Sequence, residues 1–496
     1  MTDHVQRPPA NWPVLAGIAL VIVVYLVLLG LGWFAPAAHA DEHAAHGAVA
    51  TPQLFTVAPF VGLLGAIAIL PLIPAASHWW EDNLHRLYVA GGLALLTLGL
   101  YAAVVPGHGT GRAWDVLTHT ILSEYIPFMV LLFSLYTISG GVRIQGDLPA
   151  HPTTNAVFLG VGAVLASLVG TTGAAMLLIR PLIETNSERK HVQHTVVFFI
   201  FVVCNCGGCL LPIGDPPLFL GYLRGVEFLW TLHNLWLPWL VTNGLLIGLY
   251  WLLDKTFFYP HETRRDIALD EARVRPLQIS GLGLNLPLLV GVILAVALLD
   301  PNKPFPGTHW TPPAYLREVV QLGLVGLSLA LGQSRIREAN RFNYAAILEV
   351  AALFIGIFIT MQPAIEILHD RGPQLGINTP DKFFWATGSL SSVLDNAPTY
   401  LVFFQTAAAG HPGEEFTTLV NSPGRAQQEL IAISLGAVFL GAMTYIGNGP
   451  NFMVRAIAEQ MNVRMPSFFG YVFRYSVPVL LPVFMIVAWL FVRNVP

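Results

Sequence analysis

Two acidic residues stand in stretches where a charge is costly. Asp215 lies in Ile213-Gly214-Asp215-Pro216-Pro217-Leu218-Phe219, and Asp395 in Leu394-Asp395-Asn396-Ala397-Pro398, each among long apolar runs. A carboxylate inside a membrane is rare, faces a cavity or a partner, and by default marks an ion or proton path. Two of them can hold a cation and exchange it for protons. Aspartate is also a good N-cap for a helix, and the two roles can coexist. Thr171, Thr172, Asn205, Asn396, Asn448 and Asn451 offer neutral oxygens, and Gly214 sits beside Asp215. Such oxygens suit a hard cation like sodium or lithium; they equally suit ordinary hydrogen bonds between membrane helices.

Other side chains invite chemistry less strongly. Arg180 and Glu184 are four apart, the spacing of a local helical ion pair; Arg180 can instead neutralise a carboxylate or hold an anion. Glu124 and Glu349 are expected to brace the framework near interfaces. Cys204, Cys206 and Cys209 fall in one apolar helix, with Cys206 and Cys209 on one face. Soft thiolates bind soft metals and arsenite, but a run of small residues is also what a tightly packed membrane helix uses. His39, Asp41, Glu42, His43 and His46 read as a polar external linker, with a metal site as the sharper alternative. Thr444, Tyr445 and Tyr400 line the second site or merely pack beside it.

The elements that carry these residues are membrane helices. The chain has 496 residues, 54% hydrophobic and 11% charged, with a mean hydropathy of +0.62, against roughly 25% charged in soluble domains. A net charge of −4 argues against a nucleic-acid partner. No phosphate-binding glycine loop is visible, and no nucleophile–base pair or metal-ligand set suggests an enzyme. Transport would therefore run on ion gradients or passive flow, without a cofactor. Trp12–Phe34 reads as a retained helix or a signal segment, ending near Ala38-His39-Ala40. Further apolar spans run over Phe55–Ala76, Leu84–Val105, Glu124–Ser139, Asn155–Val169, Val192–Pro212, Leu229–Leu253, Leu282–Leu299, Tyr315–Leu331, Asn343–Leu368, Phe383–Leu394, Glu429–Tyr445 and Phe468–Val492. Basic residues cluster at Arg143, at Arg189 and Lys190, in the mid-chain loop, and at Arg335, Arg337 and Arg341. These belong in the cytoplasm by the positive-inside rule. The loops Pro106–Asp115, Asp300–Pro313 and His411–Arg425, with Glu414 and Glu415, then lie outside.

The chain reads as an internal duplication. Ile213-Gly214-Asp215-Pro216-Pro217 aligns with Ile446-Gly447-Asn448-Gly449-Pro450 at an offset of 446 − 213 = 233. Glu124 and Glu349 match at 225, as do Phe133 and Phe358, and Val169 to Thr172 matches Val393 to Asn396 at 224. The charge assignment makes the repeat inverted. The expected organisation is residues 1–53 as N-terminal helix and linker, 54–253 as first repeat, 254–279 as solvated cytoplasmic connector, and 280–496 as second repeat. Asn155–Val169 and Ala174–Leu182, split by Gly170-Thr171-Thr172-Gly173, are each shorter than the about 20 helical residues that cross a membrane. They are expected to form a re-entrant hairpin. Phe383–Leu394 and Thr399–Ala408, around Asp395-Asn396-Ala397-Pro398, form the second. Irregular backbone at that depth is tolerated only where it is buried or lines a wet cavity.

These hairpin tips and paired breaks resemble the ion transporter superfamily, over about Phe55 to Val492. The Gly-Asp-Pro-Pro break and the Asp-Asn-Ala-Pro tip are most similar to the branch of NhaD-type sodium/proton antiporters, arsenite-pump subunits and the P-protein group. The Ser-Asn-Thr tips of the dicarboxylate symporters are missing here. The resemblance implies an all-α polytopic membrane fold, with a dimerising scaffold domain and a transport domain that moves as an elevator. It also implies that the two tips and two breaks form the site. The resulting expectation is a sodium (or lithium)/proton antiporter in the bacterial cytoplasmic membrane. Its partners are the lipid bilayer, a second copy as homodimer, and a small ion as substrate. Transport of citrate or another organic anion is the alternative, with Arg180 and the half-helix N-termini holding it. Arsenite export or a non-transporting scaffold stands further back.

Overall fold

The computed structural model describes residues 11–33, 51–103, 109–411 and 415–493. The histidine-bearing stretch from His39 to His46, Glu414 and the start of the loop at Pro106 lie outside the described residues. Among those described, the chain is almost wholly helical, and seven helices are long and apolar enough to cross a membrane, or eight if one bent pair is counted as a span.

In chain order, α1 (Asn11–Gly30) is followed by α2 (Ala58–Ile69), α3 (Pro74–Trp80), α4 (Asn83–Ala103), α5 (Gly109–His119) and α6 (Ile126–Ser139). Then come β1 (Arg143–Asp147), α7 (Pro152–Val169), α8 (Thr171–Thr185), α9 (Gln193–Val202), α10 (Pro216–Leu223) and α11 (Trp230–Leu253). After α12 (Arg264–Ala272) and β2 (Arg275–Ser280), the same kind of succession recurs. It comprises α13 (Leu282–Leu298), α14 (Leu316–Leu331), α15 (Ser334–Ala339), α16 (Ala345–Thr360), α17 (Gln362–Arg371), α18 (Pro380–Ser391) and α19 (Asn396–Ala409). It ends with α20 (Phe416–Leu419), α21 (Arg425–Leu440), α22 (Gly449–Gln460), α23 (Phe468–Tyr471) and α24 (Leu481–Ala488).

Packing between the two halves is reciprocal. The pair α4 with α16 has its counterpart in α14 with α6, and the pair α10 with α19 in α22 with α8. The centre of the bundle is built from α9 and α21, whose residues are buried almost without exception. Both are mostly apolar beyond their first turn, as suits a helix enclosed by other helices.

Several expectations change. The span Val192–Pro212 is not one helix. Regular helix stops at Val202, and tight turns at Cys206–Cys209 and Pro212–Gly214 lead to α10, so the three cysteines sit in the break itself. Asn205, Gly207 and Gly208 explain the early stop. A Cβ on Gly207 would stand 2.7 Å from the Ala163 Cα, and one on Gly208 2.6 Å from the Thr171 Cγ2. The break thus lies directly on the first hairpin. That hairpin turns on one residue, Gly170, at φ 80°, a left-handed conformation natural to glycine. Its first arm begins at Pro152, which supplies the fixed φ of a helix start. At 18 residues it reaches about 27 Å, so it is not too short to span. The second hairpin keeps a short first arm of 12 residues. The stretch expected as an external loop up to Asp115 is helical from Gly109 and runs through a wide turn at Thr120–Tyr125 into α6.

The connector between halves is also more ordered than a solvated linker. It carries α12, and β2 pairs antiparallel with β1, Arg143 opposite Ser280 and Gln145 opposite Gln278; this ribbon departs from an all-α chain. Arg189, buried after α8, fastens the same region. It makes two bonds to Asp254 at the end of α11, at 2.9 and 2.5 Å. His194 and Tyr250 also bond Asp254, at 3.0 and 3.1 Å. Both Glu262 oxygens accept the backbone N–H groups of Lys190 and His191 at 3.0 Å. A buried charge pair is tolerable only when its remaining hydrogen-bonding groups are satisfied in this way.

Candidate ion and substrate site

Asp215 is the first residue before α10, and Pro216 and Pro217 are the first two residues of that helix. Proline has no N–H, so the donors an N-cap side chain would normally take are missing. The next amide, Leu218 N–H, already bonds the Asp215 backbone carbonyl at 3.1 Å. The carboxylate is therefore left without partners in its own helix and turns to other elements. Its Oδ1 accepts from the Thr171 hydroxyl at the first hairpin tip and from the Asn448 amide at the second break, both at 3.1 Å. Its Oδ2 accepts from the Asn396 amide at the second tip, at 2.6 Å. One buried carboxylate thus joins both tips and both breaks.

Asn448 repeats the logic in the second half. Its helix, α22, has Pro450 in the second position, and the Asn448 side chain makes no cap bond. The freed amide donates to Asp215 and, at 2.9 Å, to the Cys204 carbonyl. Asn205 donates to the Asn451 oxygen at 2.8 Å, and Asn451 donates to the Gly441 and Thr444 carbonyls at 3.1 and 3.0 Å. Two buried amide oxygens, those of Asn205 and Asn396, accept no hydrogen bond. Buried polar atoms are normally paired, so the open oxygen of Asn396, on the amide that bonds the Asp215 carboxylate, is suited to a cation. None of the ion pairs among the described residues includes Asp215 or Asp395.

The two breaks share a close backbone contact. A Cβ on Gly214 would stand 2.2 Å from the Gly208 oxygen, and one on Gly447 2.5 Å from the Gly441 oxygen. Both glycine pairs are separated by the motif offset, 447 − 214 = 441 − 208 = 233. Ser167 and Ser391, related by 391 − 167 = 224, each bond a carbonyl of the adjoining broken helix, Gly207 and Ala437, at 2.6 Å. Sequence reading missed Gly208, Gly441, Ser167 and Ser391, although running the two offsets a few positions further finds them. Thr444 ties the second tip to its break, donating to the Ser392 carbonyl at 2.6 Å and accepting from the Ile446 and Gly447 N–H groups.

The remaining candidates make no hydrogen bond to Asp215. Asp395 is half-buried and caps its own helix, accepting from Ala397 N–H at 3.1 Å. Thr172 is half-buried next to Thr171 and outside this set of bonds. Arg180 and Glu184, both on α8, do not form the contact ion pair that their spacing suggests. Glu124 pairs with Arg224 at the end of α10 and accepts from Gln362 at 3.1 Å, while Glu349 pairs with Arg86 at 3.0 Å. Both glutamates brace packed helices. The three thiols are buried and free, and no group of three or more metal-ligating side chains occurs among the described residues. The Tyr445 hydroxyl is engaged by the Pro466 carbonyl at 3.1 Å.

A multi-pass helical bundle whose broken helices meet at one buried polar centre has the construction of a membrane transporter. A family described as "Putative citrate transport" matches residues 49–492, and the chain belongs to that family. It is a family of transport rather than of catalysis. A comparison with curated proteins gives no match.

Proposed function

We propose that this chain is a secondary active transporter that carries a cation or proton on Asp215. Cation/proton antiport, with sodium or lithium as the cation, is the reading that the local chemistry favours. The observation that carries it is the Asp215 carboxylate: buried, held by three neutral donors from three other elements, and without a basic side chain to balance it. Such a charge is costly in a membrane interior, and a proton or a metal cation removes the cost. The open oxygen of Asn396 extends the acceptor set. Prolines at the starts of α10 and α22 remove N–H groups that an anion would need, which weighs against an anion at this point. The inverted repeat, with two re-entrant hairpins and a transport domain sliding past a dimeric scaffold, supplies the alternating access.

A second reading, citrate transport coupled to the same cation site, is favoured by the family description. Proton flux in inverted vesicles, followed with a pH-sensitive dye, tests both. Sodium, lithium, potassium and citrate are added in turn to wild type and Asp215→Asn. Release of protons on adding sodium or lithium, absent in the variant, supports antiport. A response to citrate alone replaces the first reading by the second. A cation response that survives in Asp215→Asn removes Asp215 from both.

A further inference from the structure

We propose that Arg180, Arg143 and Arg341, with the Tyr344 hydroxyl, form a binding site for a small free polycarboxylate, apart from Asp215 and at the basic end of the bundle. The site lies where hairpin arm α8 meets the frame around α6 and α16. This inference deepens the citrate reading and rests on it.

Three separate elements bring the arginines together. Met176 of α8 packs on the aromatic cluster of Tyr136, Phe342 and Tyr344. Arg180 follows Met176 by four residues, on the same helix face. Arg143 opens β1, against which α8 also packs. Arg341 precedes Phe342 in a segment fixed to the end of α6. Tyr136 donates to the Asn343 carbonyl at 2.8 Å, and Asn340 to the Gly140 and Val142 carbonyls at 3.1 and 2.7 Å. Arg341 is held at φ 51°, a conformation uncommon for any residue but glycine, so its position is set by these surroundings.

The charges are unbalanced. The charged side chains that bear on Arg180 are Arg341, Arg143 and one acid, Glu184. None of the three arginines takes part in an ion pair among the described residues, and Arg143 faces the neutral amide of Gln145. The Tyr344 hydroxyl is buried with no hydrogen-bond partner. Arg143 and Arg180 are half-buried and Arg341 is exposed; like charges set near one another repel, and an anion relieves that repulsion. Guanidinium forks match carboxylate oxygens two at a time, and a free tyrosine hydroxyl adds a neutral donor. A ligand with several carboxylates on a short skeleton satisfies all of these groups. One wall belongs to a hairpin arm and the other to the frame, so occupancy would also couple the two.

The test is calorimetric titration of citrate into the purified full chain, in neutral detergent and sodium-free choline buffer. Citrate is expected to bind wild type, and at least tenfold more weakly to Arg180→Gln and to Arg341→Gln. The exposed Arg341 keeps the test usable if Arg180→Gln fails to fold, as judged by thermal melting. Absence of citrate binding to wild type overturns the proposal, as does equal affinity in both arginine variants. An anionic phospholipid offers the same oxygen chemistry. Arginine-dependent retention of phosphatidylglycerol over phosphatidylcholine, with no citrate binding, assigns the site to a lipid and overturns the free ligand. Cation-evoked proton release without citrate binding defeats this inference alone and leaves the cation reading intact.

Discussion

Asp215 and Asp395 are the same residue type at corresponding positions of helix starts, yet they do opposite things. Asp395 has Ala397 two places on, with an N–H to give, and spends its side chain on its own helix. Asp215 has Pro217 at that place, and its carboxylate reaches across the molecule to Thr171, Asn396 and Asn448. The difference is made by one missing amide hydrogen. A proline beside an acidic residue in a broken membrane helix thus converts a local cap into a long-range junction. Asn448, before Gly449-Pro450, shows the same conversion for an amide.

This contrast can be broken in several ways. The largest effect is expected for Asp215→Asn, which removes the charge and with it all coupled proton flux in vesicles, while Asp395→Asn, a good cap in its own right, retains most of it. Next come Gly214→Ala and Gly447→Ala, whose added methyl groups meet backbone oxygen at 2.2 and 2.5 Å. Overpacking of this kind costs about 1–3 kcal/mol, readable as a lower melting temperature in detergent, with the first expected to exceed the second. Asn396→Ala removes one donor from a buried carboxylate, a loss of about 1–3 kcal/mol for its charged form, which should weaken cation binding relative to proton binding by roughly tenfold or more. Pro217→Ala sharpens the comparison most, because it restores the missing N–H. The carboxylate can then cap α10, and transport should fall several-fold while the melting temperature holds. The smallest effect is Asp395→Ala, a cap loss of about 1 kcal/mol with flux largely kept.

Much of this site was legible because its signals are local. Apolar length marks the spans, and paired Gly-x-x-Pro breaks at one offset mark the centre. What was hidden depends on partners far apart in sequence. No spacing links Asp215 to Asn396, 181 residues away, or Glu124 to Arg224, 100 residues away. The early end of α9 was masked by the apolar run through Val203, in which cysteine and glycine count as helix-compatible membrane residues; contact with Ala163 and Thr171 decides it. The spacing of Arg180 and Glu184 suggested an ion pair because spacing ignores Arg341 and Arg143, distant in sequence, which also bear on Arg180.

The most direct measurement is proton release on adding sodium to the purified protein in weakly buffered detergent, comparing wild type, Asp215→Asn and Asp395→Asn. The account predicts a stoichiometric burst of protons from wild type and Asp395→Asn, and none from Asp215→Asn. A burst that persists in Asp215→Asn and disappears in Asp395→Asn would contradict it and move the exchangeable charge to the second hairpin tip.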